Sequence, residues 1–263
     1  MIPRTLWFLW WQGMEAAPPV VTACLRSWRR FNPDWDIRVL DEAAVEALEL
    51  DWPASGRPGQ VAVQALSDIV RIKVLERFGG VWADATVLCR APLSTWLPIV
   101  GSQGFFAFDR PGPDRLLSSW LLVSASGDAV SKAWARLVAD YWQAPRTLAR
   151  MPEEDAAAAA MIQTGAFREG EGGPYPYFWF HYLFARLLDE RPEVAEIWRH
   201  VPRITANLPH RVQYFGLQTP VGPLFLDFWK ANLSPVYKLD WREPVGRGGP
   251  VTVLDHVLDE GNC

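Results

Sequence analysis

The residues best placed to do chemistry are Asp68, Arg71 and Asp84, in the stretch SDIVRIKVLERFGGVWADAT that runs from Ser67 to Thr86. Carboxylates and a guanidinium can orient hydroxyl groups, hold a cation, or balance charge that develops on a leaving group. Their setting singles them out. At about 100° per residue, Asp68 and Arg71 fall on the helix side that carries Leu75 and Phe78, next to Val74. Lys73, Glu76 and Arg77 gather on the opposite, solvated side. A charge on an apolar face loses its water, and a partner or a ligand must compensate. Read singly, Asp68 and Arg71 are an intrahelical ion pair and Asp84 is a turn cap. Read together, charges on a helix and a carboxylate on the following strand converge on one edge, and perturbed groups gather at functional sites more than elsewhere.

The elements that must position these groups follow from the pattern around them. Leu6 to Trp10, after Pro3, is apolar on both faces, as a central strand of a parallel sheet should be. Gln12 and Gly13 turn the chain, Pro18-Pro19 starts a helix through Val20, Cys24, Leu25 and Trp28, and Asn32-Pro33-Asp34 ends it. Trp35 to Leu40 reads as a second strand, and Asp41 caps a short helix from Glu42 to Leu48. After a loop from Pro53 to Pro58 comes the charged helix, which Gly79-Gly80 stops. In VWADATVLC the alternation puts Trp82, Asp84 and Thr86 on one strand face. This order predicts an α/β fold, a mostly parallel Rossmann-type sheet with helices on both faces.

The signal thins beyond Thr86. Pro92 to Leu97 reads as a connection, Gly104 to Phe108 and Trp120 to Ser124 as strands, and Asp128 to Trp142 and Pro152 to Ile162 as helices. Thr164 to Pro176 is glycine-rich and aperiodic, hence a mobile loop. Tyr175 to Leu188 is an aromatic helix in which a lone His181 reads as a satisfied core group, and Asn207 and His210 are weaker candidates in a loop. Val251 to Cys263 reads as a strand followed by a frayed tail.

Composition excludes several classes. The 263 residues, ample for a core, could make two small domains but read as one large α/β domain, and a formal net charge of -4 argues against a protein that binds nucleic acid by neutralising phosphates. The longest apolar runs, Leu6 to Trp11 and Ala156 to Ile162, fall short of the roughly 20 residues that span a bilayer, and the start does not read as a signal peptide. Cys24, Cys89 and Cys263 are too few and too scattered for a disulfide framework or a zinc site, which points to a reducing, cytoplasmic setting. Of the fifteen tryptophans, most are expected in the core or on a partner surface.

Ser-Asp-x-x-Arg followed by Gly-Gly-Val-Trp-x-Asp-x-Thr resembles the core of sugar-transferring enzymes that carry an Asp-X-Asp motif, most of all their capsular polysaccharide synthesis branch. The resemblance covers residues 2 to 100 well and 175 to 241 loosely. It implies a GT-A-like fold, with residues 1-100 as the donor half and 101-263 as the acceptor side and closing segment. It also implies transfer of a sugar, with retention, from a nucleotide-sugar (a UDP-sugar) to a saccharide or glycoconjugate acceptor; peripheral contact with a membrane is left open. Residues matching Asp68 and Arg71 hold sugar hydroxyls, and the one matching Asp84 contacts ribose, sugar or metal. The opening LWFLWWQG matches the strand whose last tryptophan stacks on uracil, which is Trp10 here, with Trp11 as neighbour. Ser234 and Lys238 in LSPVYKLDW match a segment that closes over the diphosphate, and the match around HYLF turns His181 toward the site. Thr86 stands where such enzymes carry their second carboxylate, so a divalent manganese or magnesium is expected to be weakly held, on Asp84, and to enter with the donor. Two other classes share these features: a nucleotide-sugar binder without turnover, and a glycoside hydrolase. The hydrolase is disfavoured because Arg71 should tie up one of the two acids.

Overall fold

The computed structural model describes residues 1–167, 171–246 and 248–260. The first half alternates: β1 (Thr5–Leu9), α1 (Pro19–Phe31), β2 (Asp36–Leu40), α2 (Glu42–Ala47), α3 (Val63–Phe78), β3 (Gly80–Asp84), β4 (Val87–Cys89) and α4 (Leu93–Val100). A hairpin of β5 (Phe105–Gly112) and β6 (Arg115–Ser124) follows, then α5 (Ala129–Tyr141), β7 (Arg146–Leu148), α6 (Pro152–Thr164) and β8 (Gly173–Tyr175). The remainder is α7 (Trp179–Glu190), α8 (Pro192–His200), α9 (Asn207–Tyr214), α10 (Pro223–Ala231), β9 (Val236–Lys238) and α11 (Val253–Glu260).

The central sheet has the order β2-β1-β3-β6-β5. β1 pairs in parallel with β2 and β3, whereas β6 runs antiparallel to both β3 and β5, so β6 alone is reversed. The reversal follows from the sequence: Pro113-Asp114 is a two-residue turn, too short for the crossover that a parallel pair requires. Leu6 to Leu9 and Gly80 to Ala83 are buried without alternation, because helices cover both faces of the sheet. This is the α/β architecture expected from the sequence. No helix among the described residues is long and apolar enough to cross a membrane.

The glycine pair between α3 and β3 is needed for close approach. Gly80 has φ +101°, and a Cβ there would lie 2.5 Å from the Thr5 carbonyl oxygen; at Gly79, φ +69°, it would lie 2.6 Å from the Ser126 amide. Trp7 locks the same turn by donating from its indole to the Gly79 carbonyl at 2.9 Å. Trp7, Trp28, Trp82, Trp134, Trp142, Trp179 and Trp229 are fully buried and Trp120 and Trp198 nearly so, which puts nine of the fifteen tryptophans in the core.

Several expectations need correction. VWADATVLC is not one strand. It leaves the central sheet after Asp84, turns through Ala85-Thr86, and continues as β4, which pairs antiparallel with β9, Val87 opposite Lys238. Helix α3 starts earlier, at Val63, and has no solvated side along most of its length, because it packs against both the sheet and α5. Lys73 is therefore buried and reaches Glu76 at 3.4 Å. The expected loop 164–176 includes strand β8, joined to β7 by α6 as a parallel crossover unit, and its residues 168–170 lie outside the described residues. Tyr175 belongs to that strand, so α7 begins only at Trp179. His210 and Asn207 are on helix α9. The C-terminal stretch is helix α11, opened by a reciprocal cap: the Asp255 amide donates to Thr252 Oγ1 and the Thr252 amide to Asp255 Oδ2. Cys263 lies outside the described residues.

Candidate active site

β1 and β3 are parallel neighbours, so their carboxyl ends lie side by side, and an open α/β sheet leaves a crevice outside such ends. A cavity of about 630 Å³ occupies it. Its floor is Leu9 to Gln12 after β1 and Asp84 to Thr86 after β3, and one wall is Asp68 and Arg71 of α3. The opposite wall comes from the β5–β6 hairpin, the segment around Tyr175 to His181, and α9. Lys238 to Arg242, following β9, closes the rim. Trp10, Trp11, Asp68, Arg71, Asp84, Thr86, His181 and Lys238 all line this one space, as does His210. Ser234 and Asn207 do not: Ser234 is buried in its own loop, where its hydroxyl donates to the Val236 carbonyl at 2.7 Å.

Arg71 is the hub. Its side chain is 5% exposed, one Nη donates to Asp68 Oδ1, and the other donates to Asp84 Oδ1 at 2.7 Å. Its guanidinium also lies over the Trp82 ring, 5.2 Å from the centroid, and near Phe180 at 5.6 Å. Trp82 Nε1 donates to the same Asp84 oxygen at 2.9 Å. The Lys238 ammonium donates to Thr86 Oγ1 and sits 3.9 Å from Asp84 Oδ2. Although the strand breaks between Asp84 and Thr86, the β4–β9 pairing thus brings a cation to both.

The two carboxylates that share Arg71 differ in proton affinity. Burial would push Asp84 up, but the charges of Arg71 and Lys238 and the hydrogen bonds from Trp82 and Arg71 hold it below the usual carboxylate range. Burial raises Asp68 to about 7 against the pull of Arg71, and the Asp84 charge adds to the rise. The fixed negative charge of the cluster thus resides on Asp84.

The far wall holds residues that the sequence did not single out. Arg115 at the hairpin tip pairs with Asp114 at 3.1 Å and lies over the Phe178 ring at 3.8 Å. Trp120 meets His210 at a tilt, centroids 5.6 Å apart, and Tyr177 is more than half exposed. Their sequence neighbourhoods carry no shared motif, and the turn Pro113-Asp114 is the sole local signal. His181, a core group by its helical setting and a site-lining one by the resemblance, borders the cavity. Its Nδ1 and His210 Nε2 have no hydrogen-bond partner among the described residues. Burial, with Arg71 and Arg115 nearby, lowers His181 to about 3. Burial, with Lys238 and Arg115, lowers His210 to about 4. Both imidazoles are neutral near pH 7.

That neutrality gives a prediction with a definite sign. An imidazole whose folded pKa is depressed from 6.5 contributes stability that is present above pH 6.5 and is lost as pH falls toward the folded values of about 3 and 4. Asp68, with its raised value, acts in the opposite sense but is common to both proteins compared. The double variant His181→Gln/His210→Gln should take up about two fewer protons on unfolding between pH 6 and 5. Urea midpoints at those two pH values, compared with wild type, check it. An unchanged pH slope would show that the imidazoles are hydrated.

A divalent cation requires oxygen ligands, preferably anionic. Among the described residues no three of His, Cys, Asp and Glu gather into a ligand group. Asp84 and Asp68 share Arg71, and the hydroxyl of Thr86 accepts from Lys238. This donor set does not fit an ion held by the protein alone.

Known proteins bear out the resemblance. The chain is 24% identical to "Glycosyltransferase afumC" of Aspergillus fumigatus, over 70% of this chain and 52% of that protein. It is 24% identical to "O-glycosyltransferase braB" of Annulohypoxylon truncatum, over 53% and 38%, and 26% identical to "O-glycosyltransferase PaGT" of Phomopsis amygdali, over 45% and 34%. The chain thus spans between a third and about half the length of these curated relatives. A solved structure, "PaToxG Glycosyltransferase", superposes with a TM-score of 0.42 at 13% identity, over 75% of this chain and 73% of that one, too loosely to carry an argument. The capsular polysaccharide synthesis protein family matches residues 1–151, which hold Trp10, Asp68, Arg71, Asp84 and Thr86. On that match over more than half its length, the chain belongs to the capsular polysaccharide synthesis protein family.

Proposed function

We propose that this chain is a glycosyltransferase that moves a sugar from a nucleotide-sugar, specifically a UDP-sugar, to a hydroxyl of a saccharide or glycoconjugate in surface polysaccharide or glycoconjugate assembly. The observation that carries this reading is the Asp68–Arg71–Asp84–Lys238 constellation at the carboxyl ends of two parallel strands, with Trp10 in the same cavity. The names of the curated relatives agree with it. Trp10 offers the uracil a flat face. Asp68 and Arg71 orient the sugar, Asp84 anchors ribose and sugar, and Lys238 meets the diphosphate.

Transfer with retention suits the acid–base inventory. Of the three carboxylates that line the cavity, Asp84 is held below the usual range and Asp240 sits beside Arg242, while Asp68, raised to about 7, is tied to the Arg71 guanidinium; imidazoles with values of about 3 and 4 are poor proton acceptors near pH 7. In this scheme the acceptor hydroxyl attacks the anomeric carbon as the bond to the diphosphate oxygen breaks, and the departing diphosphate takes the hydroxyl proton. No dedicated base is required.

UDP release from a panel of UDP-sugars, with and without candidate acceptors, tests the activity. Thr86 in place of a second carboxylate favours one other reading, a nucleotide-sugar binder without turnover. Tight UDP binding with no release from any UDP-sugar would establish that reading instead.

Trp10 is only partly buried and meets Trp241 edge-on, centroids 5.6 Å apart, with its indole nitrogen unpartnered among the described residues. Stacking of a base on an aromatic face contributes about 1 to 3 kcal/mol. Trp10→Ala should therefore weaken UDP binding at least several-fold by calorimetry and leave the melting temperature nearly unchanged. Unchanged affinity with a large loss of thermal stability would make Trp10 a core residue.

A further inference from the structure

We propose that the Lys238 ammonium takes the place of a divalent cation beside the donor diphosphate, so that donor binding and transfer need no metal. The proposal rests on the nucleotide-sugar reading above and concerns the same cavity. An ion beside Asp84 would find one oxygen of that carboxylate accepting from Arg71 and Trp82 and the other 3.9 Å from Lys238. Two positive side chains would repel it, and Thr86 offers a neutral hydroxyl that already accepts from Lys238. A diphosphate meets the reverse situation. It brings the negative charge that the site is set to receive, as Lys238 donates one N–H to Thr86 and an ammonium has three.

The lysine is also preorganised, which a substitute for a bound ion must be. Antiparallel pairing of Val87 with Lys238 fixes its backbone beside the acidic turn, and Gln213 Nε2 donates to the Lys238 carbonyl at 3.0 Å. Its side chain is only 20% exposed yet lines the cavity. A charge held in place and poorly hydrated binds an anion with less loss of water than a free surface lysine does.

The test is calorimetric titration of UDP into the wild-type chain in excess EDTA and again in excess manganese, with manganese alone titrated into the free protein. The expected result is the same UDP affinity in both media and no tight manganese site. Lys238→Met should lower UDP affinity about tenfold or more, the scale of a hydrogen bond to a charged group, and manganese should not restore it. Lys238→Arg should keep most of the affinity. UDP binding that appears only with manganese, or a Lys238→Met protein that binds as wild type does, overturns the inference and leaves the donor reading standing. No UDP binding in either medium overturns both. Should Lys238→Met fail to fold, the wild-type comparison still decides.

Discussion

Arg71→Met is expected to destabilise the protein by about 3 to 5 kcal/mol, the scale for removing one partner from a buried ion pair, and to abolish turnover. The substitution keeps an unbranched stem of similar shape, so the loss is not one of packing. It removes the one guanidinium that Asp68 and Asp84 share, and two carboxylates then face each other beside Trp82 with Lys238 as the remaining cation. Protonation of Asp68, already raised to about 7, is the only local relief. It is available at low pH, so the deficit should grow as pH rises from 5 to 8. Urea denaturation of wild type and variant at those two pH values measures it. A variant as stable as wild type at pH 8 would mean that water, and not Arg71, compensates the two acids.

Asp84→Asn is expected to reduce turnover by about a hundredfold to a thousandfold, the range seen when one preorganised electrostatic group is removed from a site. The amide keeps the shape of the side chain and can still accept from Trp82, but it cancels the charge that faces Arg71 and Lys238. Arg71 and Lys238 then lose the charge they share, and each keeps its other partner, Asp68 and Thr86 respectively. Stability should change less than in Arg71→Met, because Asp68 still pairs with Arg71. Initial rates of UDP release, with melting temperatures measured on the same samples, separate the two effects. Full turnover in the variant would remove Asp84 from the site.

These two residues show how much the sequence discloses. Asp68 and Arg71 were legible because charges at helical spacing among apolar residues are costly. Asp84 was legible because Gly79-Gly80 fixes where α3 ends and β3 begins. The sheet followed from unbroken apolar runs at β1 and β3. Thr86 borders the cavity without sharing a strand face with Asp84, since periodicity cannot show that a strand leaves its sheet to pair with a segment far along the chain, here β9. Lys73 is buried although its helix face reads as solvated, because periodicity within one helix cannot show that α3 packs against both the sheet and α5. Ser234 matched a pattern, but its hydroxyl satisfies its own loop. His181, Arg115, Trp120 and Tyr177 meet only through tertiary packing, which no local spacing encodes. The cap that starts α11, in contrast, is encoded locally as Thr252-Val-Leu-Asp255.

The most direct measurement is a crystal structure of the protein grown with a non-transferable UDP-sugar analogue. The expected result is the uracil ring against Trp10, diphosphate oxygens within hydrogen-bond reach of Lys238, and sugar hydroxyls on Asp68 and Arg71. Nucleotide bound outside this cavity, or inside it with Trp10, Arg71 and Lys238 all untouched, would contradict the assignment of the site.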